Sequence, residues 1–497
     1  MVSKQLLTLT LLLAFNNLYC QDKGNYLARV GLNDKYGFVD TTGREVVPAV
    51  YDLAGGWSNN LVAVNVGAKG TGNRKKGGKW GYYNDRGVLV IPLQFDDAMR
   101  FYEGRAAVKT DGEWGFIDTA GNIVIPAVYD EVKEFSEGYC AVAINKKWGY
   151  INNKGVTVIP PAYKTAHSFK NGVAWVYQGV QTDSSILINK AGDKIASANY
   201  AGTGNFIEGF AKVEVTDSTF KTGRQNIWAP GLFNRDTGKL VVLYTGDEYG
   251  TKKGFINLQG KLVVPTIYAE AGDFSEGFAA VAVKDKNYTG TLNIWPDAHL
   301  WGYVNTRGEE VIKPQFSLAY KFIDGRAVVL RGRQRTWVSL KPEDSLVNYL
   351  ERPEYALIDT NGKYLLHFDW DYMSPIGNDL LIARRKKHFG EGVVDIHGKT
   401  VISFIYYELA YAGNGLFTAK DLHAPNTYLV IDINNKVLLT TNKYEMLPTK
   451  SKYGSLNIYN HHDKSGFINL DGEPVIMSKY HSIGYFKTTN PTGDEKE

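Results

Sequence analysis

His461-His462-Asp463 contains the one adjacent histidine pair in the sequence. Imidazoles beside a carboxylate are metal-ligand types, but a metal site needs several ligands converging with defined geometry, and no partner motif supplies the rest. Asp369-Trp370-Asp371 offers two carboxylates to calcium without the spaced Asp/Asn and Gly of a calcium loop. The stretch Gly72-Asn73-Arg74-Lys75-Lys76-Gly77-Gly78-Lys79 has the composition of a phosphate loop, yet it lacks Gly-Lys-Ser/Thr and stands before a strand pattern. Arg384-Arg385-Lys386-Lys387-His388 is the densest basic run and could meet an acidic polymer; five residues do not make a basic face, and a solvated loop accounts for them. Gly-x-Ser-x-Gly, His-Glu-x-x-His and Cys/His nucleophile patterns are absent from the sequence. A carboxylate pair assembled from distant segments, as in glycoside hydrolases, would leave no spacing to read. The expectation is a non-enzymatic protein without cofactor or metal. The side chains best suited to holding a ligand are Trp228 and Trp295, in two segments that share wording, Thr222–Trp228 and Thr289–Trp295, and Tyr288 just before the second. Their rings either stack on a ligand or pack back onto the body that carries them.

That body has to be large. Its 497 residues are 44% hydrophobic and 22% charged, a globular composition with length for about three ordinary domains. Fifty-six Lys and Arg against 52 Asp and Glu give a formal charge of +4, too small a surplus to grip nucleic acid or an anionic membrane. Fifty-two Gly, 32 Tyr and 10 Trp suit sheets joined by tight turns. Lys4 followed by the apolar run Leu6–Phe15 matches a secretory signal, too short to span a bilayer. Residues 1–20 are therefore read as a signal peptide, and the protein as periplasmic, cell-surface or secreted. The bulky Tyr19 favours cleavage before Gln21 over lipid attachment at Cys20. Cleavage leaves Cys140 as the one cysteine, so packing and not a disulfide must hold the fold. No other segment has the apolar length of a membrane helix.

A repeat runs through the chain. Trp80-Gly81-Tyr82-Tyr83-Asn84, Trp114-Gly115-Phe116-Ile117-Asp118 and Trp148-Gly149-Tyr150-Ile151-Asn152 start 34 residues apart. Each is followed by a glycine (Gly87, Gly121, Gly155), an apolar run ending in Ile-Pro (Pro92, Pro126, Pro160) and an aromatic (Phe95, Tyr129, Tyr163). Looser copies begin at Tyr36, Gly254, Trp301 and Gly466. The Asp or Asn that ends the motif recurs at 40, 84, 118, 152, 189, 257, 305, 359, 395, 432 and 469, eleven copies, with Phe233-Asn234 a candidate twelfth.

The chain thereby resembles the WG-repeat family of bacterial proteins, through Phe135-Ser136-Glu137-Gly138, Ala141-Val142, Lys147-Trp148-Gly149-Tyr150-Ile151-Asn152 and Val158-Ile159-Pro160. The resemblance implies an exported or surface repeat protein and brings no catalytic residues with it. After Gly325 most copies lose the Trp.

Read as physics, the unit is all-β. Asp111-Gly112 is a hairpin signal, Trp114–Ile117 a strand, Asp118–Gly121 a tight turn, and Asn122–Ile125 a returning strand up to Pro126. The spacing predicts a three-stranded antiparallel meander, with Tyr129–Val132 a candidate fourth strand. Alternation leaves both faces apolar, so neighbouring units must cover one another as propeller-like blades. Trp80, Trp114, Trp148 and Trp301 are accordingly read as packing residues. Eleven blades exceed an ordinary ring, leaving two rings or an open superhelix. The organisation expected is a regular array over 21–340, a linker at 341–353 with its seam at Lys341–Asp344, degenerate repeats over 354–487 and a polar tail over 488–497.

Spacing also locates the variable parts. Six residues take the chain from Val142 to Trp148, but sixteen from Val64 to Trp80 and twenty from Val281 to Trp301. The additions fall in one hairpin of different units and so project from one face. The expected function is an exported, non-catalytic scaffold that binds a protein or cell-envelope polysaccharide partner through these hairpins. A glycan-binding module or a glycan-active hydrolase is the alternative.

Overall fold

The computed structural model describes residues 26–179, 185–198, 200–222, 233–234, 239–240, 248–285, 299–332, 353–424, 426–442, 445–446, 456–461, 464–469, 474–484 and 487–488. The signal segment 1–20, Lys341–Asp344 and all but the first residue of the 488–497 tail lie outside them.

The repeat that ends in Asn152 shows how this sequence builds a sheet. Glu131–Val132, Tyr139–Ile144, Lys147–Asn152 and Thr157–Tyr163 lie side by side, all antiparallel. Asn145 and Lys146, with φ of 51° and 61°, form the two-residue turn whose twist matches that of the flanking strands. Glu131 and Val132 pair with Ala143 and Val142. The short strand after Tyr129 therefore opens the next sheet, which makes four strands of the expected three. On one face Ala141, Ala143, Trp148, Tyr150 and Ile159 share a core with Ala166, Phe169, Ala174 and Ile188 of the following repeat. The two alanines leave room for the Tyr150 ring to reach Phe169, 4.7 Å between centroids. Cys140, Val142 and Ile151, on the other face, are buried as well.

The pairing explains the Trp-Gly dipeptide. Trp148 faces Tyr163 and Tyr150 faces Ile159, so the third strand carries two more residues than the second over this interval. Pro160 and Pro161 sit in that bulge, and its backbone crosses directly over Gly149. A Cβ there would lie 2.4 Å from the Ile159 carbonyl oxygen and 2.7 Å from the Pro161 nitrogen. Where Ile186 or Leu429 replaces this glycine, the two-residue bulge is missing: Ile186, Leu187 pair with Ser197, Ala196, and Leu429, Val430 with Thr440, Leu439, and a single extra residue follows, Ile195 and Leu438.

Eleven such units occur among the described residues, one for each Asp or Asn in the sequence pattern. Numbered by their second strands they are repeat 1 (Lys35–Asp40), 2 (Lys79–Asn84), 3 (Glu113–Ile117), 4 (Lys147–Asn152), 5 (Ser185–Asn189), 6 (Glu248–Asn257), 7 (His299–Asn305), 8 (Glu354–Asp359), 9 (Glu391–Asp395), 10 (Tyr428–Asp432) and 11 (Lys464–Ile468). The fold is all-β, tandem antiparallel repeats stacked as propeller-like blades. Repeats 8 to 10 fuse into one ten-stranded sheet, because Tyr364–Gly377 and Thr400–Gly413 each serve as closing strand of one repeat and opening strand of the next. Phe233–Asn234 forms a two-stranded hairpin with Lys239–Leu240, between the paired strands of repeat 6, and is not a twelfth unit.

The chain divides into two compact units. One comprises Met1–Tyr129, Tyr444–Met446 and Tyr453–Glu497, and so holds repeats 1 to 3 and 11. Its first sheet is completed by the far end of the chain, Val30 pairing with Ile483 and Tyr26 with Thr488. The other comprises Asp130–Lys443 and Leu447–Lys452, with repeats 4 to 10. The stretch read as a linker at 341–353 is flanked by the two paired strands of repeat 8, Arg326–Arg331 and Glu354–Asp359. Except for Pro353 it lies outside the described residues, and strand pairing continues on both sides of it.

Candidate functional site

Each repeat has two ends. At one lie the turn before the first long strand and the turn between the second and third. This end is closed by its own hydrogen bonds. Asp118 Oδ1 accepts the amides of Ala120 and Asn122 at 3.0 and 2.9 Å, and Asn152 and Asp395 repeat the arrangement. The Asn122 side-chain and backbone bonds hold the Asp118 carboxyl below the usual carboxylate range. The recurring Asp/Asn is thus a turn cap.

The Phe-x-Glu-Gly turns, with Ser or Ile at the second place, join one repeat to the next in the central unit. The Glu137 carboxylate accepts the amides of Asn171 and Gly172 at 2.5 and 2.9 Å. Glu208 does the same to Glu276 and Gly277, and Glu276 in turn to Asp324 and Gly325, at 2.7 to 2.9 Å. In each case a left-handed residue followed by glycine points two adjacent N–H groups at one anion. Partial burial opposes ionisation of Glu137, but these amides and the Lys190 ammonium outweigh it and lower its pKa. The hydroxyl of Ser136 donates to the Phe169 carbonyl at 2.7 Å, and that of Ser275 to Phe322 at 2.8 Å. Tyr150 and Tyr303 each donate to a carbonyl of the following repeat, His167 and Tyr320, at 2.7 and 2.6 Å. This network escapes sequence reading because its partners lie a whole repeat apart; its one visible trace is the recurrent Glu-Gly.

At the other end lies the hairpin between the first and second long strands. Repeats 1, 3 and 4 close it with two residues of positive φ: Asn33-Asp34, Asp111-Gly112 and Asn145-Lys146. Repeat 2 has an insertion folded back on repeat 1. Its Lys75, 8% exposed, donates to the carbonyls of Asp34 and Asp52 and pairs with the Asp34 carboxylate at 2.9 Å. The stretch resembling a phosphate loop is therefore a structural plug, with its Lys75 already bound. Repeats 6, 7 and 8 carry the longest interruptions, between Thr222 and Glu248, Asp285 and His299, and Gly332 and Glu354. Trp228, Tyr288 and Trp295 lie within the first two, outside the described residues. The strands that carry the Tyr288 and Trp295 insertion are well packed: Trp301 is 6% exposed, and burial lowers the pKa of His299, so its imidazole is neutral at pH 7.

The remaining sequence candidates fall into structural places. Trp114 and Trp148 are buried like Trp301, and Trp80 is half-buried against the repeat 2 core. Lys109 and Lys133 lie over the Trp114 and Trp148 rings, 5.6 and 5.7 Å from the centroids. The basic run at 384–388 disperses: Arg384 pairs with Glu391 at 3.6 Å, Arg385 stacks on Trp370 at 5.0 Å, and Lys386 binds Glu354. Trp370 is buried between Asp369 and Asp371, and His462 and Asp463 lie outside the described residues. Among the described residues no group of three or more His, Cys, Asp or Glu could hold a metal ion. The Cys140 thiol is buried and its pKa pushed up, the state of an inert cysteine. No helix among the described residues is long and apolar enough to cross a membrane.

No curated protein matches the chain. Among solved structures it is similar to a eukaryotic initiation factor (9% identity, TM-score 0.37, 86% of this chain and 97% of that one). It is also similar to the dihydro-heme d1 dehydrogenase NirN (12%, TM-score 0.29, 76% of each chain) and to Hsv2p of Kluyveromyces lactis (11%, TM-score 0.24, 59% and 89%). At these scores nothing about those proteins transfers to this chain. Residues 36–69, 80–114, 114–148, 148–179, 254–288 and 301–332 match the family described as WG containing repeat. Those segments carry the bulge-covered glycines Gly37, Gly81, Gly115, Gly149, Gly254 and Gly302, and by them the chain belongs to the WG-repeat family.

Proposed function

We propose that this protein is an exported, non-catalytic scaffold that binds a protein or cell-envelope polysaccharide partner through the hairpin insertions of repeats 6, 7 and 8. The observation that carries the reading is their alignment. Three consecutive repeats of the central unit keep continuous strand pairing on both sides of an interruption in the same hairpin. Additions there leave the packing of the blade untouched, and loops held on a rigid frame are where binding residues concentrate. The shared wording of Thr222–Trp228 and Thr289–Trp295 supports a glycan as the alternative partner, with Trp228 and Trp295 as stacking platforms. Pull-down from envelope extract and a glycan array, on wild type and on Trp295→Ala, separate the two readings. A glycan is expected to lose about 1–3 kcal/mol with Trp295→Ala, the scale of aromatic stacking on bases. A protein partner should respond mainly to loss of several insertions together. Unchanged binding after loss of all three insertions rejects both.

The compartment is part of the proposal. Lys4, the apolar run Leu6–Phe15 and the bulk of Tyr19 support export with cleavage before Gln21. Mass spectrometry of exported material should show Gln21 as the mature N-terminus, and diacylglyceryl on Cys20 would overturn that reading.

A further inference from the structure

Aromatic residues fill the cores of this array, and among the described side chains three of them are exposed: Tyr320, Phe389 and Tyr407. Phe389, 80% exposed, and Tyr407, 53% exposed, both lie at the junction of repeats 9 and 10. Phe389 stands in the hairpin between Leu380–Arg385 and Glu391–Asp395, and Tyr407 in the strand Thr400–Gly413 that the two repeats share. Glu391 pairs with Tyr406, and a Cβ on Gly390 would lie 2.2 Å from the Phe404 carbonyl oxygen, so the two exposed residues border one edge. Neither is what the array uses at its place. In repeats 2, 3 and 4 the residue after the closing aromatic is an Asp whose carboxylate accepts a hairpin amide: Asp52 from Gly67, Asp96 from Asp111 and Asp130 from Lys146, at 2.8 to 3.1 Å. Repeat 10 has Tyr407 there. In repeat 9 the place of the buried Trp is taken by Glu391, which pairs with Tyr406 as Trp148 pairs with Tyr163, and the Phe389 ring two residues earlier is left in solvent. Departures from a structural pattern concentrate where a protein does more than fold.

Cations complete the patch. The Arg385 guanidinium lies over the rings of Trp370 and Phe404, 5.0 and 5.6 Å from their centroids, and Lys387 is exposed at the hairpin tip; neither forms an ion pair among the described residues. Glu354, Glu391 and Glu408 are already held by Lys386, Arg384 and Lys420. We infer that this edge of repeats 9 and 10 binds an acidic polysaccharide, its sugar faces stacked on Phe389 and Tyr407 and its uronate carboxylates held by Arg385 and Lys387. Rings this open suit the flat face of a pyranose, whereas an anchor of a protein partner is desolvated in an enclosing pocket. The patch shares the hairpin end with the insertions of repeats 6 to 8 and does not depend on them.

Biolayer interferometry with the whole protein tests this on polygalacturonate, a soluble polyuronate, beside dextran as an uncharged glycan and poly-L-glutamate as an acidic chain without sugar rings. Wild type should bind polygalacturonate at least tenfold more tightly than either of the others. Phe389→Ala and Tyr407→Ala should each weaken that binding at least fivefold, the low end of what a lost stacking ring costs, with unchanged melting temperatures. Lys387→Ala should weaken it and flatten its dependence on salt. Shortening the insertions of repeats 6 to 8 should leave it as in wild type, which separates this inference from the function proposed above. A wild type that does not bind at millimolar uronate overturns the inference. So does poly-L-glutamate bound as tightly as polygalacturonate, which would make the ligand an acidic protein segment, or full binding by both alanine variants. Loss of binding with the shortened insertions while Phe389→Ala binds fully would assign the polymer to those insertions and overturn it as well.

Discussion

Repeats 4 and 7 of the central unit present the same turn end and different hairpin ends. At the turn end both have an Asn whose side chain accepts two backbone amides, a Glu whose carboxylate is taken up by the next turn, and a Tyr hydroxyl on the next repeat's backbone. At the hairpin end repeat 4 closes with two residues, whereas repeat 7 leaves its strands at Asp285 and resumes at His299. A turn that satisfies its neighbour as well as itself cannot change without cost to two repeats. The compact tips of repeats 3 and 4 bond to a carboxylate of their own sheet, Asp111 N–H to Asp96 and Lys146 N–H to Asp130, whereas that of repeat 1 is held by Lys75 of repeat 2. The difference separates the part of the repeat that holds the array together from the part that can take on a ligand.

The largest expected loss comes from the core beneath both ends. Trp114→Ala should cost about 3–5 kcal/mol, the range for emptying a large aromatic site, read by chemical denaturation beside wild type. A change under about 1 kcal/mol would mean that the Trp-Gly ring is not a packing residue. Gly149→Ala comes next. Its Cβ meets bulge backbone at 2.4 Å, a main-chain contact that must shift, and about 1–3 kcal/mol is expected. The same measurement on Gly112→Ala, whose added Cβ meets nothing within 4 Å but whose φ is 87°, isolates backbone strain from the bulge contact.

The eleven units were legible because the Asp/Asn cap is needed by every turn, even where the Trp is lost, as at Asp395 and Asp432. The candidate binding residues were less so: Trp228, Tyr288 and Trp295 belong to insertions that do not follow the strand period, so spacing locates them but gives them no partner. The bulge stayed hidden although its proline and its glycine were both in view. Proline was read as the end of a strand, while the ladder resumes beyond it, Tyr129 still pairing with Trp114. The linker reading at 341–353 took a polar stretch as lying between domains; the strands on its two sides, Arg326–Arg331 and Glu354–Asp359, pair with each other.

Smaller effects lie at the turn end. Glu276→Gln should cost about 1–2 kcal/mol, because an amide oxygen replaces a carboxylate that accepts two N–H bonds. Acid should act in the same direction on Glu137. Its folded pKa is lowered, so its stabilisation is present above the unfolded value near 4.5 and is lost as pH falls through the folded value below it. Melting temperature across pH 3 to 7 should therefore drop at the acid end, and the drop should be smaller in Glu137→Gln.

The smallest effect on stability should come from the hairpin end, and it is paired with the largest effect on binding. A variant in which a two-residue Asp-Gly turn replaces residues 286–298 should unfold within about 0.5 kcal/mol of wild type, as changes at exposed tips do. Measured against the captured envelope partner, binding by this variant, with the insertions of repeats 6 and 8 shortened likewise, should fall at least tenfold, while Glu276→Gln binds as wild type does. Full binding by the shortened protein, or binding lost in Glu276→Gln with the fold intact, would contradict the division of each repeat into a structural end and a recognition end.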